Sequence, residues 1–319
     1  MGTHLRRYLG WGVIIGRMAR ILAAADIGSN TAHLLVAATD GQLVMRIDNF
    51  NEWIPLGEVV ARTGEIPKEM VQQLVFAVKE FKRMAAAKQA QELYVFATEG
   101  MRSALNHQAV LKRILDETGV IVDVITPRRE AELSLSGVRL DTRNYGAEMM
   151  FEVGGGSAQI GKLAKGTLVE EESLPLGTGR IIAESGLRSP CPDYALTAAL
   201  RYVDAILDSG QITGNASMAV ASGGVGRGLW RALHPDSEKV LALEELDYIM
   251  WSCSRLPTDR IVARFGVKQK RAGTLLPGAI VYRALMRKFG LRELAVSEFG
   301  IREGAVLEMA AGKIKTCLA

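Results

Sequence analysis

Two short glycine turns, each preceded by an acidic residue, are the parts of the sequence best suited to chemistry. The first reads Asp26-Ile-Gly-Ser-Asn-Thr and the second reads Glu152-Val-Gly-Gly-Gly-Ser-Ala-Gln. Glycine lets the backbone approach a ligand closely, and successive N–H groups in such a turn bind phosphate oxygens. The two acids are ligands of the kind that Mg²⁺ takes beside phosphate. The turns therefore predict phosphate chemistry, although two ordinary hairpins would also use glycine here.

The elements around the turns repeat. Residues 21–39 read as strand, turn, strand, and the hairpin dipeptide Asp40-Gly41 leads into a further strand, GQLVMRIDNF. Residues 148–177 repeat this pattern of strand, turn, strand, hairpin and strand. Two α/β halves of like topology, each with a glycine turn, predict a cleft between them. The remaining predicted elements are helices over 67–88, 99–119, 127–140, 189–207, 244–255, 257–265 and 271–289, strands over 92–98, 120–126 and 217–224, and a strand, turn and helix over 293–312.

The composition is typical of a globular protein, and the net charge would suit an anionic substrate. The chain has 319 residues, 48% hydrophobic and 23% charged, enough for two ordinary domains. The net charge of +4 suits an anionic substrate but is too small to indicate nucleic-acid binding alone. Cys191, Cys253 and Cys317 have no spacing typical of a zinc site or a disulfide framework, which favours a reducing, cytoplasmic setting.

The first residues, 1–20, are predicted to be an N-terminal extension. Their arginines and short apolar run resemble a signal peptide superficially, but Arg17 and Arg20 follow the run and no clear cleavage pattern is present. An upstream start codon before a natural start at Met18 would give the same pattern. No segment reaches the ~20 apolar residues of a transmembrane helix, so no membrane partner is expected.

Eight ordered stretches resemble the exopolyphosphatase / guanosine pentaphosphate phosphohydrolase (Ppx/GppA) family over about 20–312. The resemblance implies an α/β fold of two ribonuclease H-like domains, of the actin, sugar kinase and Hsp70 type, flanking a cleft. We expect these domains at 21–142 and 143–319, with the final helix able to pack back on the first. The stretches are DIGSNTAHLLV, FATEGMRSALN, TPRREAELSLSGV, EVGGGSAQI, LPLGTGR, ASGGVGRGL, RAGTLLPGAIV and VSEFGIREGAV.

The resemblance also implies roles for individual residues. Glu130 aligns with the family's catalytic glutamate and would act as general base, although a glutamate in a first helical turn also stabilises the helix. Arg102 would contact phosphate oxygens, or else be a solvated helix arginine. Asn30 would contact phosphate or hold its own turn. The predicted phosphate-binding residues are Gly28, Ser29, Asn30, Gly154, Gly155, Gly156 and Ser157.

The resemblance implies a metal as well. Asp26 and Glu152 would face each other across the cleft and bind Mg²⁺ or Mn²⁺ together with phosphate oxygens. The family pattern has Asp at the position of Glu152, Glu at Gln159 and often Asp at Gly273. The phosphate turns therefore appear in full, while these changes affect the acids of the expected metal site.

Three functions follow as hypotheses. The first is a Mg²⁺-assisted phosphohydrolase that cleaves terminal phosphate from inorganic polyphosphate, or the 5′ γ-phosphate from guanosine pentaphosphate. The second is a weakened regulatory protein that binds phosphate or nucleotide, and the third is an ATP-dependent kinase on the same fold. Longer family members carry further helical domains, so a short chain slightly favours short polyphosphates or nucleotides.

Other residues are expected to have supporting roles. Arg302 and Glu303 are expected to have a structural role at the back of the cleft, or to form an ion pair there. His33 is expected to be a packing residue. Residues 221–229 are expected to line the channel, and Glu132 to lie on the surface. A homodimer is allowed by the apolar C-terminal helix, and no specific nucleic-acid partner is expected.

Overall fold

The computed structural model describes residues 20–234 and 238–314. The predicted extension, apart from Arg20, lies outside the described residues, as does Cys317. Cys191 and Cys253 are free thiols. Within the described ranges, no helix is long and apolar enough to cross a membrane.

The first half is a five-stranded mixed sheet with the order β3-β2-β1-β4-β5. Strands β1 and β2 pair antiparallel across the first glycine turn, while β4 and β5 run parallel to β1. Its strands are β1 (Arg20–Ile27), β2 (Thr31–Thr39), β3 (Val44–Trp53), β4 (Glu92–Ala97) and β5 (Val122–Val124). Its helices are α1 (Leu56–Thr63), α2 (Lys68–Ala87), α3 (Glu99–Arg102), α4 (His107–Thr118) and α5 (Pro127–Val138).

The second half is a six-stranded sheet with the order β10-β11-β9-β6-β7-β8. Counted from β8, it repeats the strand order of the first sheet and adds one strand. Its strands are β6 (Met149–Val153), β7 (Ala158–Ala164), β8 (Thr167–Leu174), β9 (Ala219–Ser222), β10 (Val240–Ala242) and β11 (Glu293–Val296). Its helices are α6 (Thr178–Ser185), α7 (Asp193–Asp208), α8 (Gly223–Leu233), α9 (Leu243–Arg255), α10 (Thr258–Phe265), α11 (Gln269–Lys288) and α12 (Ile301–Ala310).

Five elements differ from the sequence prediction, and one of them is the three-residue strand β10, which was not predicted. Helices α1, α6 and α8 were not predicted, because they are short and two of them begin beside glycine, a poor helix former. The helical region 99–119 is divided into α3 and α4. The other predicted helices and strands are present, with ends shifted by a few residues.

Each half has its own apolar core, and α12 joins the first one. Ile301, Ala305, Val306 and Met309 of this last helix pack with apolar residues of β1, β2 and β4. The chain therefore returns to the first sheet after completing the second. This return places the beginning of α12 beside the first glycine turn.

Candidate active site

A cavity of about 430 Å³ lies between the two halves. It is lined by both glycine turns, by the first residues of α8 and α12, and by the segment that leads into α11. Strands β1 and β6, which are equivalent in the two sheets, deliver Asp26 and Glu152 to this cavity. The predicted cleft is therefore present, and the duplicated strand order explains why both turns reach it.

The two turns present backbone amides that the protein itself leaves without acceptors. Each turn is closed by one hydrogen bond, from Gly28 N to Thr31 O and from Gly154 N to Ser157 O, both 2.9 Å. Within the described ranges, no hydrogen bond is donated by the N–H groups of the two residues after Gly28 or of the three residues after Gly154. These groups belong to Ser29, Asn30, Gly155, Gly156 and Ser157, which all line the cavity.

The carbonyl oxygens of the second turn are occupied instead. Gly154 O accepts from Thr178 N at 2.9 Å, and Gly155 O accepts from Gly179 N and Arg180 N at 2.8 and 3.1 Å. Helix α6 therefore fixes the turn through its carbonyl groups and leaves the amides for a ligand. Free N–H groups grouped in a turn form a concavity that binds anions.

Asn30 connects the two halves. Its Nδ2 donates to Thr178 Oγ1 at 3.1 Å, and a Cβ atom added at Gly155 would collide with the Asn30 side chain. The Asn30 side chain thus fixes one turn against the other rather than only its own. Its predicted contact with phosphate stays a prediction, since its backbone amide is still available.

Glu130 lies in the first turn of α5 and lines the cavity. The helix starts there because Pro127 occupies its first position and Thr126 Oγ1 accepts from Arg129 N at 3.2 Å. Glu130 is 9% exposed as a residue, and its Oε2 accepts from both terminal nitrogens of Arg102 at 3.0 Å.

Burial raises the pKa of Glu130 to about 8. The positive charge of Arg102 opposes this shift, while the negative charges of Glu152 and Glu99 add to it. A carboxylate whose pKa lies near neutral pH is well matched to accept a proton from water. The electrostatics therefore agree with the predicted role of general base, which no contact in this structure tests.

Arg102 donates hydrogen bonds to Glu130 but does not itself line the cavity. Besides Glu130, its guanidinium donates to Ile125 O at 2.6 Å and to Glu99 Oε2 at 3.1 Å. It is therefore not a solvated helix arginine. The structure places it as the partner of the candidate base rather than beside the glycine turns.

The two predicted metal ligands both line the cavity, and each has one oxygen engaged. Asp26 Oδ1 is paired with Arg302 Nη1, and Glu152 Oε2 accepts from Ser134 Oγ at 2.5 Å and Ser222 Oγ at 2.7 Å. No hydrogen bond from the described part of the chain reaches Asp26 Oδ2 or Glu152 Oε1. Arg302 thus forms the ion pair expected at the back of the cleft.

The donor set fits Mg²⁺ held in part by its substrate. The described residues contain no group of three or more His, Cys, Asp or Glu placed to bind a metal. Mg²⁺ typically takes one or two carboxylates, with waters and phosphate oxygens completing its shell. Gln159 pairs across the sheet with Glu152, is 3% exposed, and has neither amide atom hydrogen bonded within the described residues. Its orphaned carbonyl oxygen is a further candidate donor.

The third sequence departure lies away from the cavity. Gly273 is exposed on α11, and a Cβ atom there would meet nothing within 4 Å. It is not among the lining residues. Glu132, unlike Glu130, forms an exposed ion pair with Arg128 on the same helix. This agrees with the prediction that Glu132 lies on the surface.

Basic residues of the cavity were missed by the sequence analysis. Arg227, Arg231, Lys268 and Arg271 line it together with Arg302. Only the expectation that 221–229 line the channel pointed to Arg227, because nothing local marks these residues as neighbours. His33 also lines the cavity and accepts from Asn51 Nδ2 at 3.3 Å if its Nδ1 is unprotonated.

These features define a class of protein: a two-sheet α/β fold with a cleft that is lined by duplicated glycine turns. Solved structures show the same fold. The Aquifex aeolicus member of the Ppx/GppA family has a TM-score of 0.77 at 22% identity, covering 94% of this chain and 100% of that one. A Cytophaga hutchinsonii exopolyphosphatase has a TM-score of 0.80 at 20% identity, covering 92% and 98%. The predicted fold class, two ribonuclease H-like domains flanking a cleft, is confirmed.

The sequence comparisons give the family. The Ppx/GppA phosphatase family matches residues 35–312, so the chain belongs to this family of phosphatases. Exopolyphosphatase 1 of Mycobacterium leprae is 30% identical over 303 residues, which cover 90% of this chain and 88% of that protein. The resemblance deduced from the eight sequence stretches is thereby confirmed.

Proposed function

We propose that this phosphatase hydrolyses the terminal phosphoanhydride bond of inorganic polyphosphate. The observation that carries the proposal is the pair of glycine turns whose five free amides line one cavity beside Glu130. The similar Mycobacterium leprae protein is named an exopolyphosphatase. Hydrolysis of a phosphoanhydride needs chiefly positioning, charge neutralisation and an oriented water, and the cavity offers groups for each.

The groups that line the cavity suit a chain of phosphates. Phosphate groups need amides and cations, and the cavity offers the free amides of both turns together with Arg227, Arg231 and Arg271. Guanosine pentaphosphate also carries a chain of phosphates, so the experiment below compares the two substrates directly.

In the proposed reaction, the amides of both turns bind the oxygens of the terminal phosphate. Glu130 accepts a proton from the attacking water, and Arg102 holds the carboxylate in place through its two hydrogen bonds to Oε2. The leaving group is the shortened polyphosphate chain. Asp26 Oδ2 and Glu152 Oε1 would hold Mg²⁺, with Gln159 as a further donor; when bound, the ion would neutralise charge on the phosphate oxygens.

The test measures phosphate release from medium-chain polyphosphate and from guanosine pentaphosphate, each with and without Mg²⁺. Wild type is compared with Glu130→Gln, and Glu132→Gln serves as the matched control on the same helix. We expect metal-dependent release from polyphosphate, a decrease of about 10²- to 10⁴-fold in Glu130→Gln, and little change in Glu132→Gln.

Other outcomes would point to the alternatives. Preferential release from guanosine pentaphosphate would identify the nucleotide branch. Binding of polyphosphate without release from either substrate would reject the hydrolase and support the regulatory protein. Transfer of phosphate from ATP to a second substrate would support the kinase.

A further inference from the structure

Two buried serine hydroxyls are directed at the same oxygen of Glu152. Ser134 is 1% exposed and Ser222 is completely buried. Their Oγ atoms donate to Glu152 Oε2 at 2.5 and 2.7 Å. The two serines come from different elements, since Ser134 lies inside α5 and Ser222 is the last residue of β9. Two separate elements therefore bind one oxygen of a predicted metal ligand.

The local structure does not account for either hydroxyl. Ser222 precedes α8 as its N-cap residue, where a serine oxygen usually accepts from a backbone N–H of the first turn. Its side chain makes no such bond. A serine inside a helix commonly donates to the carbonyl four residues earlier, but a hydroxyl has one proton, and that of Ser134 goes to Glu152. The bonds to Glu152 are therefore what distinguishes both side chains.

Gly223 leaves the space that the Glu152 side chain occupies. Its φ is +81°, and a Cβ atom there would lie 2.9 Å from Glu152 Oε1 and 3.0 Å from Glu152 Cγ. The carboxylate thus lies against the backbone at the beginning of α8, and both residues line the cavity. Oε2 carries both hydrogen bonds, while no described residue donates to Oε1. One oxygen is therefore fixed and the other is available in the cavity.

Neutral donors have an electrostatic advantage at this position. Asp26, the other predicted metal ligand, is oriented by Arg302, which brings a positive charge. Glu152 forms no ion pair within the described residues and is oriented by hydroxyl groups instead. A second guanidinium here would repel a divalent cation at Oε1, whereas a hydroxyl adds no charge. The serines therefore orient Glu152 without opposing a bound cation.

Ser134 also connects the metal ligand to the candidate base. It follows Glu130 by four residues on α5, so both side chains leave the same face of that helix. Helix α5 belongs to the first half of the molecule, while Glu152 ends a strand of the second. The bond between Ser134 and Glu152 therefore helps to fix the distance from the candidate base to the predicted metal ligand.

We propose that Ser134 and Ser222 are positioning residues for metal binding, which hold Glu152 with its Oε1 free for Mg²⁺. This proposal rests on the proposed function and specifies how its metal is held. The family pattern has aspartate at this position, and the longer glutamate has one more rotatable bond to be fixed. Hydrogen-bond partners of metal-binding side chains typically contribute 10- to 100-fold to metal affinity or activity.

The experiment measures metal binding without turnover. Mn²⁺ replaces Mg²⁺, because EPR measures the unbound Mn²⁺ directly, and inorganic phosphate is the only phosphate compound present. Ser134→Ala, Ser222→Ala and the double variant are compared with wild type and with Ser136→Ala. Ser136 is the matched control, since it lies on the same helix but donates to a different carboxylate, Glu308 Oε1, at 3.2 Å.

We expect Ser134→Ala and Ser222→Ala each to weaken Mn²⁺ binding about 10-fold, and the double variant about 100-fold. Ser136→Ala should bind Mn²⁺ like wild type. In assays with polyphosphate, the Mg²⁺ concentration for half-maximal activity should rise by similar factors, while kcat at saturating Mg²⁺ stays near that of wild type. Thermal unfolding of the metal-free proteins separates a loss of metal affinity from a loss of folding.

Three results would overturn the role of the serines. These are wild-type Mn²⁺ affinity in both folded serine variants, an equal loss of affinity in Ser136→Ala, and absence of Mn²⁺ binding in the wild type. Absence of polyphosphate hydrolysis in the wild type would instead reject the proposed function alone. The role of the serines would then still stand if their variants lose Mn²⁺ affinity, because that measurement needs no turnover.

Discussion

At the scale of single residues, the acids of the cavity differ in what holds them. Glu130 is bonded by Arg102, Asp26 by Arg302, and Glu152 by two buried serine hydroxyls. A guanidinium neutralises its carboxylate, whereas a hydroxyl only donates a hydrogen bond. No guanidinium is bonded to Glu152 within the described residues, and the negative charge of Glu152 contributes to the raised pKa of Glu130.

The first prediction concerns pH. The raised pKa of Glu130 means that its ionised fraction, and hence kcat/KM, falls as pH decreases below about 8. Glu99→Gln removes a nearby negative charge and a competitor for Arg102, so the pKa of Glu130 should fall and the acid limb should move to lower pH. The check is a pH–rate profile of both proteins, with Glu132→Gln as control. An acid limb that stays in place in Glu99→Gln would contradict this account.

The second prediction concerns Gln159. Its buried amide has no partner within the described residues, and an unsatisfied buried polar group costs about 1–3 kcal/mol. Gln159→Met should therefore raise the free energy of unfolding by ~1 kcal/mol while it weakens Mg²⁺-dependent phosphate release. Denaturant unfolding and a Mg²⁺ titration measure the two effects.

Gln159→Glu provides the comparison for this position. This variant places a carboxylate beside Glu152, as in the family pattern at this position. It should therefore lower the Mg²⁺ concentration needed for half-maximal activity. It should also destabilise the metal-free protein through like-charge repulsion. A less stable Gln159→Met protein would show that the amide has a structural partner and no free donor for a ligand.

At the scale of elements, the positions of Glu130 and Arg302 depend on one helix pair. Helix α5 carries the candidate base, and α12 carries the arginine that pairs with Asp26. The helices touch through backbone: a Cβ atom at Gly304 would collide with Leu133 O, and one at Gly137 would collide with Gly300 O. The pair therefore has no space for any side chain at these glycines.

The third prediction tests this contact. Gly304→Ala should lower the free energy of unfolding by about 1–3 kcal/mol and reduce phosphate release, because α5 must move and take Glu130 with it. Gly273→Ala is the matched control, since its Cβ meets nothing; there the free energy of unfolding should rise by about 0.4–1 kcal/mol. Chemical denaturation measures both. Unchanged stability and activity in Gly304→Ala would show that the helices adjust without displacing the base.

At the scale of the whole molecule, the two halves contact each other beside the cavity. Asn30 bonds to Thr178, and a Cβ atom at Gly57 would lie 2.8 Å from Gly155 C. Helices α1 and α6, which flank these contacts, pack on each other. A ligand in the cavity therefore touches both halves at once and adds to their contact.

The fourth prediction follows from this arrangement. Medium-chain polyphosphate should raise the unfolding temperature of the Glu130→Gln protein in a single transition, because the ligand binds only when both halves are in place. The gain should be about 2.7 kcal/mol at a concentration of 100 times Kd, and it should decrease with added salt. Calorimetric scans over a ligand series, with sodium chloride of equal ionic strength as control, provide the measurement. Two transitions of which only one moves would show binding to one half alone.

The sequence by itself determined the duplicated pattern, most helices and strands, and the acids and glycines at both turns. These are local properties: apolar periodicity specifies an element, and glycine beside an acid marks a turn, wherever the rest of the chain lies. A cleft between two halves of like topology then followed from the repeat. The start of helix α5 is also marked locally by a proline and a capping threonine, whereas Glu130 was singled out as the candidate base only through the resemblance to the family.

Only the tertiary structure decided which groups meet. Arg302 pairs with Asp26 although 276 positions separate them, and Arg227 and Arg271 face one cavity from different helices. Such pairings depend on how helices pack, and no local spacing encodes them. The same holds for the raised pKa of Glu130, since it arises from burial and from charges brought by other elements. The sequence thus determined the chemistry available at the turns, while packing determined the charges around them.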